Sequence, residues 1–174
     1  MLLKISNKIN ISICGMMGSG KSSVGKLLAK KINYNFIDTD LLIEKEENKS
    51  INQIFAENGE EYFRSLEKEI TLNSLNKKKT IISLGGGAIL NNEIRLAIKL
   101  NSFNIYLKVD KFVLKKRLEN SKHRPLLKNE ILNKKLHELL NQREKFYNGA
   151  DLLINNNKTI ADEINEILKN YSLK

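Results

Sequence analysis

Between positions 15 and 22 the chain reads Gly15-Met16-Met17-Gly18-Ser19-Gly20-Lys21-Ser22, a G-x-x-x-x-G-K-S spacing. An apolar stretch with Ile9, Ile11 and Ile13 leads into it, and an amphipathic one with Val24, Leu27 and Leu28 follows. A strand passing into a helix through such a loop is the context in which this pattern binds phosphate. Glycines let the backbone curl until successive N–H groups point inward, and the positive end of the helix adds to the attraction for anionic oxygens. Gly15 through Ser22, with Ser23 behind them, are therefore expected to cradle the phosphates of a nucleotide. Lys21 would reach the β- and γ-phosphates, and the Ser22 hydroxyl is placed to ligate the Mg²⁺ that bridges them.

Other chemistry-bearing residues stand at fixed distances from this loop. Asp38 and Asp40 are two positions apart, so in an extended segment both carboxylates leave from one face and converge on a polar site. One acid can serve the metal and the other the acceptor. The apolar run Ile81-Ile82-Ser83-Leu84 carries no aspartate of its own, which makes Asp38 the expected carboxylate for Mg²⁺, acting through a bound water. Gly85-Gly86-Gly87 offers bare backbone on which a substrate can lie. Arg64 and Glu67 are three apart on an expected helix, so the acid can hold the guanidinium in place. Arg143, on a later helix, adds a second fork, and paired arginines suit a carboxylate or a phosphate.

The elements that must position these groups alternate along the chain. Strands are expected at Ile9–Cys14, Asn35–Asp38, Thr80–Leu84, Asn104–Lys108 and Leu152–Ile154. Helices are expected at Ser22–Lys31, Ile51–Asn58, Glu60–Leu75, Glu93–Leu100, Lys111–Glu119, Ile131–Phe146 and Ile160–Asn170. Ser50 with Gln53, and Thr159 with Asp162, have the spacing of helix caps. The alternation implies a three-layer α/β/α fold around a five-stranded parallel sheet, in which ligands collect beyond the carboxyl ends of the strands. The only proline, Pro125, lies in a charged stretch of about 120–130 that is expected to be a mobile loop.

With 174 residues, of which 41% are hydrophobic, the chain is expected to form one domain over 1–174. Its net charge of +10 favours anionic partners without choosing among them. The positive residues are spread along the sequence, apart from the run Lys77-Lys78-Lys79, which falls between an expected helix and strand and reads as a solvated loop. Aromatic content of 6% with no basic groove of interleaved rings argues against a nucleic-acid partner. No run of eighteen apolar residues and no signal-like start is present, so no membrane partner is expected. Cys14 is the single cysteine, expected to be a buried thiol in a reducing, cytoplasmic setting. His123 and His137 lack ligand spacing and read as surface residues.

Taken together, the loop, the D-x-D of Asp38 to Asp40, the F-R-x-x-E of Phe63 to Glu67, the G-G-G of Gly85 to Gly87, the R-P-L-L of Arg124 to Leu127, and Arg143 resemble the shikimate kinase family, within the nucleoside-monophosphate-kinase-like part of the P-loop NTPase fold. Their order and spacing agree along nearly the whole chain. The resemblance implies transfer of the γ-phosphoryl group of ATP, with Mg²⁺, to the 3-hydroxyl of shikimate on the route to chorismate and the aromatic amino acids. It implies that Asp40 takes the ring hydroxyls, as base or as positioning group. Arg64 and Arg143 would grip the carboxylate, Glu67 would orient Arg64, and Gly86 with its neighbours Gly85 and Gly87 would offer backbone contact. Arg124 would be the lid arginine over the phosphates, and Arg117 would pack against adenine. The segment Asn155-Asn156-Asn157-Lys158 is where the family closes over adenine, and no residue in it is assigned. Small-molecule partners and a monomer are expected. The rival readings are a related kinase for gluconate or a nucleoside monophosphate, a nucleic-acid-binding NTPase, and a silent nucleotide-binding regulator.

Overall fold

The computed structural model describes residues 10–119, 129–156 and 159–172. Ile9, the expected lid as far as residue 128 with His123, Arg124 and Pro125, and the pair Asn157-Lys158 lie outside the described residues. Five strands, β1 (Asn10–Cys14), β2 (Asn35–Asp38), β3 (Thr80–Ser83), β4 (Ser102–Lys108) and β5 (Leu152–Asn155), form one parallel sheet in the order β2-β3-β1-β4-β5. The helices are α1 (Lys21–Ile32), α2 (Thr39–Glu47), α3 (Ile51–Leu75), α4 (Asn92–Asn101), α5 (Lys111–Glu119), α6 (Asn129–Tyr147) and α7 (Ile160–Ser172). The expected α/β architecture is present, and β4 begins two residues before the expected Asn104.

Period-two alternation divides the core between the two faces of the sheet. Ile11, Ile13, Ile81, Phe103, Ile105 and Leu107 pack with Val24 and Leu28 of α1 and Ile164 and Ile167 of α7. Their neighbours Cys14, Ile82 and Tyr106 pack on the other face with Ile94, Ile98, Leu114 and Tyr147. In a parallel sheet covered by helices on both sides both sets are buried, which is why the central strands carry so few charges. Cys14 sits in this interior, where burial pushes its thiol up to about 12 and the Asn104 side chain only partly offsets that. Lys77, Lys78 and Lys79 are exposed, and so is His137.

Two helix boundaries bear directly on function. The chain does not stay extended past Asp38: α2 starts at Thr39, because an Asp38 carboxylate oxygen accepts from the Asp40 and Leu41 amides at 3.1 and 3.3 Å and caps the helix. The expected extended Asp38–Asp40 segment is thus corrected to a cap followed by a first helical turn. The two helices expected on either side of residue 59 form one element with a break at Gly59, whose φ of 82° and ψ of 175° only glycine adopts readily. The break re-aims the second half of α3, the half that carries Arg64 and Glu67. Ser50 and Gln53 form the expected capping box at its start, and Thr159 with Asp162 caps α7.

Candidate active site

The phosphate loop leaves the carboxyl end of β1, the strand flanked by β3 and β4, where the order of connection reverses and a crevice opens. Gly15 begins it with φ of 144°, and a Cβ there would sit 2.7 Å from the Leu107 carbonyl oxygen, so this position has neither the backbone freedom nor the room for a side chain. Gly20, with φ of 90°, turns the chain into α1. The Lys21 ammonium donates to the Gly15 and Met16 carbonyls at 3.0 Å each, and the Ser19 amide donates to Met16 at 3.1 Å. Ser22 donates its hydroxyl proton to Asp38 Oδ2 at 2.5 Å, while Ser23 is exposed one residue further along α1.

The acceptor side is assembled from four separate segments around the glycine triplet after β3. A Cβ on Gly85 would lie 2.6 Å from both Asp40 Oδ1 and Glu67 Oε1; on Gly87 it would collide with the Arg64 guanidinium. On Gly86 it would lie 3.4 Å from Arg143 Nη1 and 3.5 Å from the Met17 amide nitrogen. Glycine is therefore required at 85 and 87 because two acids and an arginine occupy the space that side chains would take. The bare backbone expected of the triplet is only part of its role. Asp38 and Asp40 are separated by the helix start: one faces Ser22, the other Gly85.

Charge is held in place before any ligand arrives. Arg64 Nη1 donates to Glu67 at 2.6 Å and its other nitrogens donate to Glu60 at 3.0 and 3.2 Å. Glu67 is buried, and burial raises its carboxyl above the usual carboxylate value; the Arg64 guanidinium pulls it back, Asp40 pushes it further up, and Arg143 draws it down. Arg143 is 5% exposed and its Nε has no hydrogen-bond partner among the described residues, so it is a buried cation rather than a solvated helix residue. A guanidinium with a spare donor in such a position is suited to an anionic ligand.

Two arginines, two carboxylates and the phosphate loop meet over three glycines, and residues 17–172 match the family model described as shikimate kinase. The chain belongs to the shikimate kinase family. The shikimate kinase of Caldanaerobacter subterraneus is 40% identical over 163 residues, covering 93% of this chain and 95% of that one. The crystallised shikimate kinase of Acinetobacter baumannii in complex with shikimate superimposes with a TM-score of 0.87 at 32% identity, covering 94% of this chain and 93% of that one. A gluconokinase of Sinorhizobium meliloti, at 18% identity and a TM-score of 0.62 over 96% of this chain and 94% of that one, shares the fold alone.

Three contributors escape a reading of sequence motifs in this family member. Thr39, fully buried, accepts from the Gly85 amide at 2.9 Å and donates to the Ser83 carbonyl at 3.3 Å, tying the glycine turn to the end of β3. Asn156 donates to the Ser19 carbonyl at 3.0 Å and accepts from Arg117 at 3.0 Å, while Arg117 also donates to the Gly18 carbonyl at 3.2 Å. That brings Arg117 and the unassigned 155–156 segment to the rim of the phosphate loop. Tyr147 donates to the Gly86 carbonyl at 2.6 Å. Each bond joins residues 39 to 137 positions apart, so no local spacing announces it.

Proposed function

We infer that the protein transfers the γ-phosphoryl group of ATP to the 3-hydroxyl of shikimate, giving shikimate 3-phosphate and ADP in aromatic amino acid biosynthesis. The observation that carries this reading is the glycine turn, where Asp40, Arg64 and Arg143 converge within reach of the phosphate loop. Shikimate has one carboxylate and three hydroxyls. Arg64 and Arg143 pair with the carboxylate, Asp40 accepts from the ring hydroxyls, and Gly85 to Gly87 line the floor. Glu67 keeps Arg64 oriented through their 2.6 Å ion pair.

Phosphoryl transfer asks the protein mainly for alignment of donor and acceptor oxygens and for neutralisation of the transferring charge. Gly15 to Ser22 hold the phosphates through backbone N–H groups, Lys21 moves its ammonium from the loop carbonyls to the β- and γ-phosphates, and Asp40 orients the attacking hydroxyl. Arg124, outside the described residues, is the lid cation of this reading, and Arg117 packs beside the base. Ser22 and Asp38 form an all-oxygen pair that fits Mg²⁺, a hard cation that takes its remaining ligands from water and phosphate. Held by Ser22 and Asp38, the ion would neutralise negative charge on the nucleotide phosphates. Excluding water matters because water is a competing acceptor.

The enzyme is read as a cytoplasmic monomer, in keeping with its one cysteine being free and buried. The decisive experiment supplies purified protein with ATP, Mg²⁺ and shikimate, gluconate or AMP in a coupled ADP-release assay. Turnover is expected with shikimate; turnover of gluconate or AMP with none of shikimate overturns the reading.

A further inference from the structure

The glycine turn carries a built-in ambiguity that its own hydrogen bond does not remove. The Ala88 amide donates to the Gly85 carbonyl at 3.1 Å, closing a four-residue turn with Gly86 and Gly87 at its centre. Such a closure leaves the central peptide, between residues 86 and 87, free to take either of two opposite orientations. The two turn types differ chiefly in that plane, and the second requires positive φ at the third residue. Gly87 has φ of −93° and ψ of −17°, the values of the first type, yet being glycine it enters the second at no steric cost. A pair of central glycines thus gives a turn that can present either an N–H or a C=O to the same side.

Tyr147 acts on this one peptide. Its hydroxyl donates to the Gly86 carbonyl at 2.6 Å, from a side chain that is 0% exposed. The ring is stacked on Tyr106 with centroids 5.0 Å apart, so the hydroxyl cannot follow a moving turn. The same oxygen lies 3.8 Å from Met16 Sδ in the phosphate loop, and Arg143 is one helical turn back on α6. Burial raises the phenol well above its usual pKa despite the Arg143 guanidinium nearby, so it remains a donor. With the Gly86 carbonyl drawn toward the core, the Gly87 N–H of the same trans peptide points the other way.

We propose that Tyr147 is a positioning residue that selects the orientation of the Gly86–Gly87 peptide, so that an N–H rather than a carbonyl oxygen faces the carboxylate-bearing acceptor. Without the phenol the peptide is free to flip and set an oxygen against an anionic substrate. The inference rests on the assignment of shikimate as acceptor. It makes the acceptor loop, not the phosphate loop, the element that Tyr147 controls, although it touches both.

The test is Tyr147→Phe, which keeps the ring and its stack and deletes only the hydroxyl, with Tyr106→Phe as the control that removes the other phenol of the stack. For Tyr147→Phe the KM for shikimate rises about tenfold, the scale of one lost buried hydrogen bond plus a misdirected dipole, at every pH in the working range. The KM for ATP and the affinity for ADP measured without shikimate stay within about twofold, and Tyr106→Phe leaves all three unchanged. A shikimate KM within about twofold of the parent overturns the proposal. An equal loss for both substrates, a protein no longer able to bind ADP, or the same rise in Tyr106→Phe also overturns it, because the phenol would then serve the core. A parent enzyme that does not turn over shikimate sinks the assigned reaction instead.

Discussion

The phosphate loop and the proposed acceptor pocket share an edge at Gly86, which lies against Met17 and Gly15 of the loop, yet they are built by different means. The loop is eight consecutive residues whose backbone, on the proposed function, does the binding, with one ammonium and one hydroxyl added. Met16 and Met17 can therefore fill its variable positions with apolar side chains. The pocket is made of side chains from α2, α3 and α6 gathered over the bare backbone of the glycine turn, residues spread over more than a hundred positions. Its charges are fixed by one another, Arg64 by Glu60 and Glu67, and its arginine on α6 is buried. A backbone cradle tolerates substitution at its variable positions, whereas a lattice of charges transmits any loss to its neighbours.

That contrast predicts where a single change is most costly. Lys21→Ala removes the one side-chain cation of the cradle and leaves its backbone intact, so kcat falls on the order of a thousandfold while the thermal unfolding midpoint barely moves. Near-normal turnover in this variant would contradict the division of labour. Arg143→Ala strikes the lattice instead. Each charge-assisted contact is worth roughly 1.5–3 kcal/mol, so the KM for shikimate should rise about 10- to 100-fold with the KM for ATP unchanged. A parallel rise for both substrates would show that the two regions are not separable at Gly86.

The same contrast explains what the sequence revealed. The cradle, the strand alternation and the Ser50 cap are short-range patterns, and each was legible because the residues that cooperate are adjacent or a few positions apart. Arg64 with Glu67 was legible for the same reason. The extended continuation from Asp38 to Asp40 was misread, because Asp38, at the end of β2 as expected, caps α2 by accepting from the Asp40 and Leu41 amides, whereas a D-x-D reading favours a longer strand. Thr39, Asn156 and Tyr147 were missed since each works through a bond to a segment distant in the chain, and their residue types carry no motif. Arg143 was named from the sequence as the partner of Arg64, but its burial, which only packing creates, could not be read from a polar helix.

Acid should loosen the lattice and leave the cradle alone. Burial raises the Glu67 carboxyl, so between the ordinary carboxylate value and its raised one the folded protein holds a proton that the unfolded chain lacks. Its contribution to stability is fully present below the ordinary value and is lost as pH rises through the raised one. Function runs the opposite way, because only the anion holds Arg64. The shikimate KM should therefore climb several-fold as pH falls through the raised value, while the thermal midpoint does not lose the contribution of this group. Glu67→Gln should show the higher KM at neutral pH and a flattened acid limb. An acid limb that survives the substitution would transfer the effect to another carboxylate facing this site, Asp40, whose charge acts on Glu67, or Glu60, which is bonded to Arg64.

The smallest expected effect lies on the far rim of the cradle, where Asn156 links the Ser19 carbonyl to Arg117. Arg117 is exposed, and a neutral hydrogen bond near water contributes only about 0.5–1.5 kcal/mol. Asn156→Ala should thus raise the KM for ATP by roughly 2- to 10-fold and leave the shikimate KM alone. The substitution is informative because Asn156 contacts the cradle's backbone, so it tests whether disturbance there stays local. If the shikimate KM moved as much as that for ATP, the loop would be coupled across Gly86 to the acceptor side, and the backbone cradle would transmit strain as readily as the lattice of charges does.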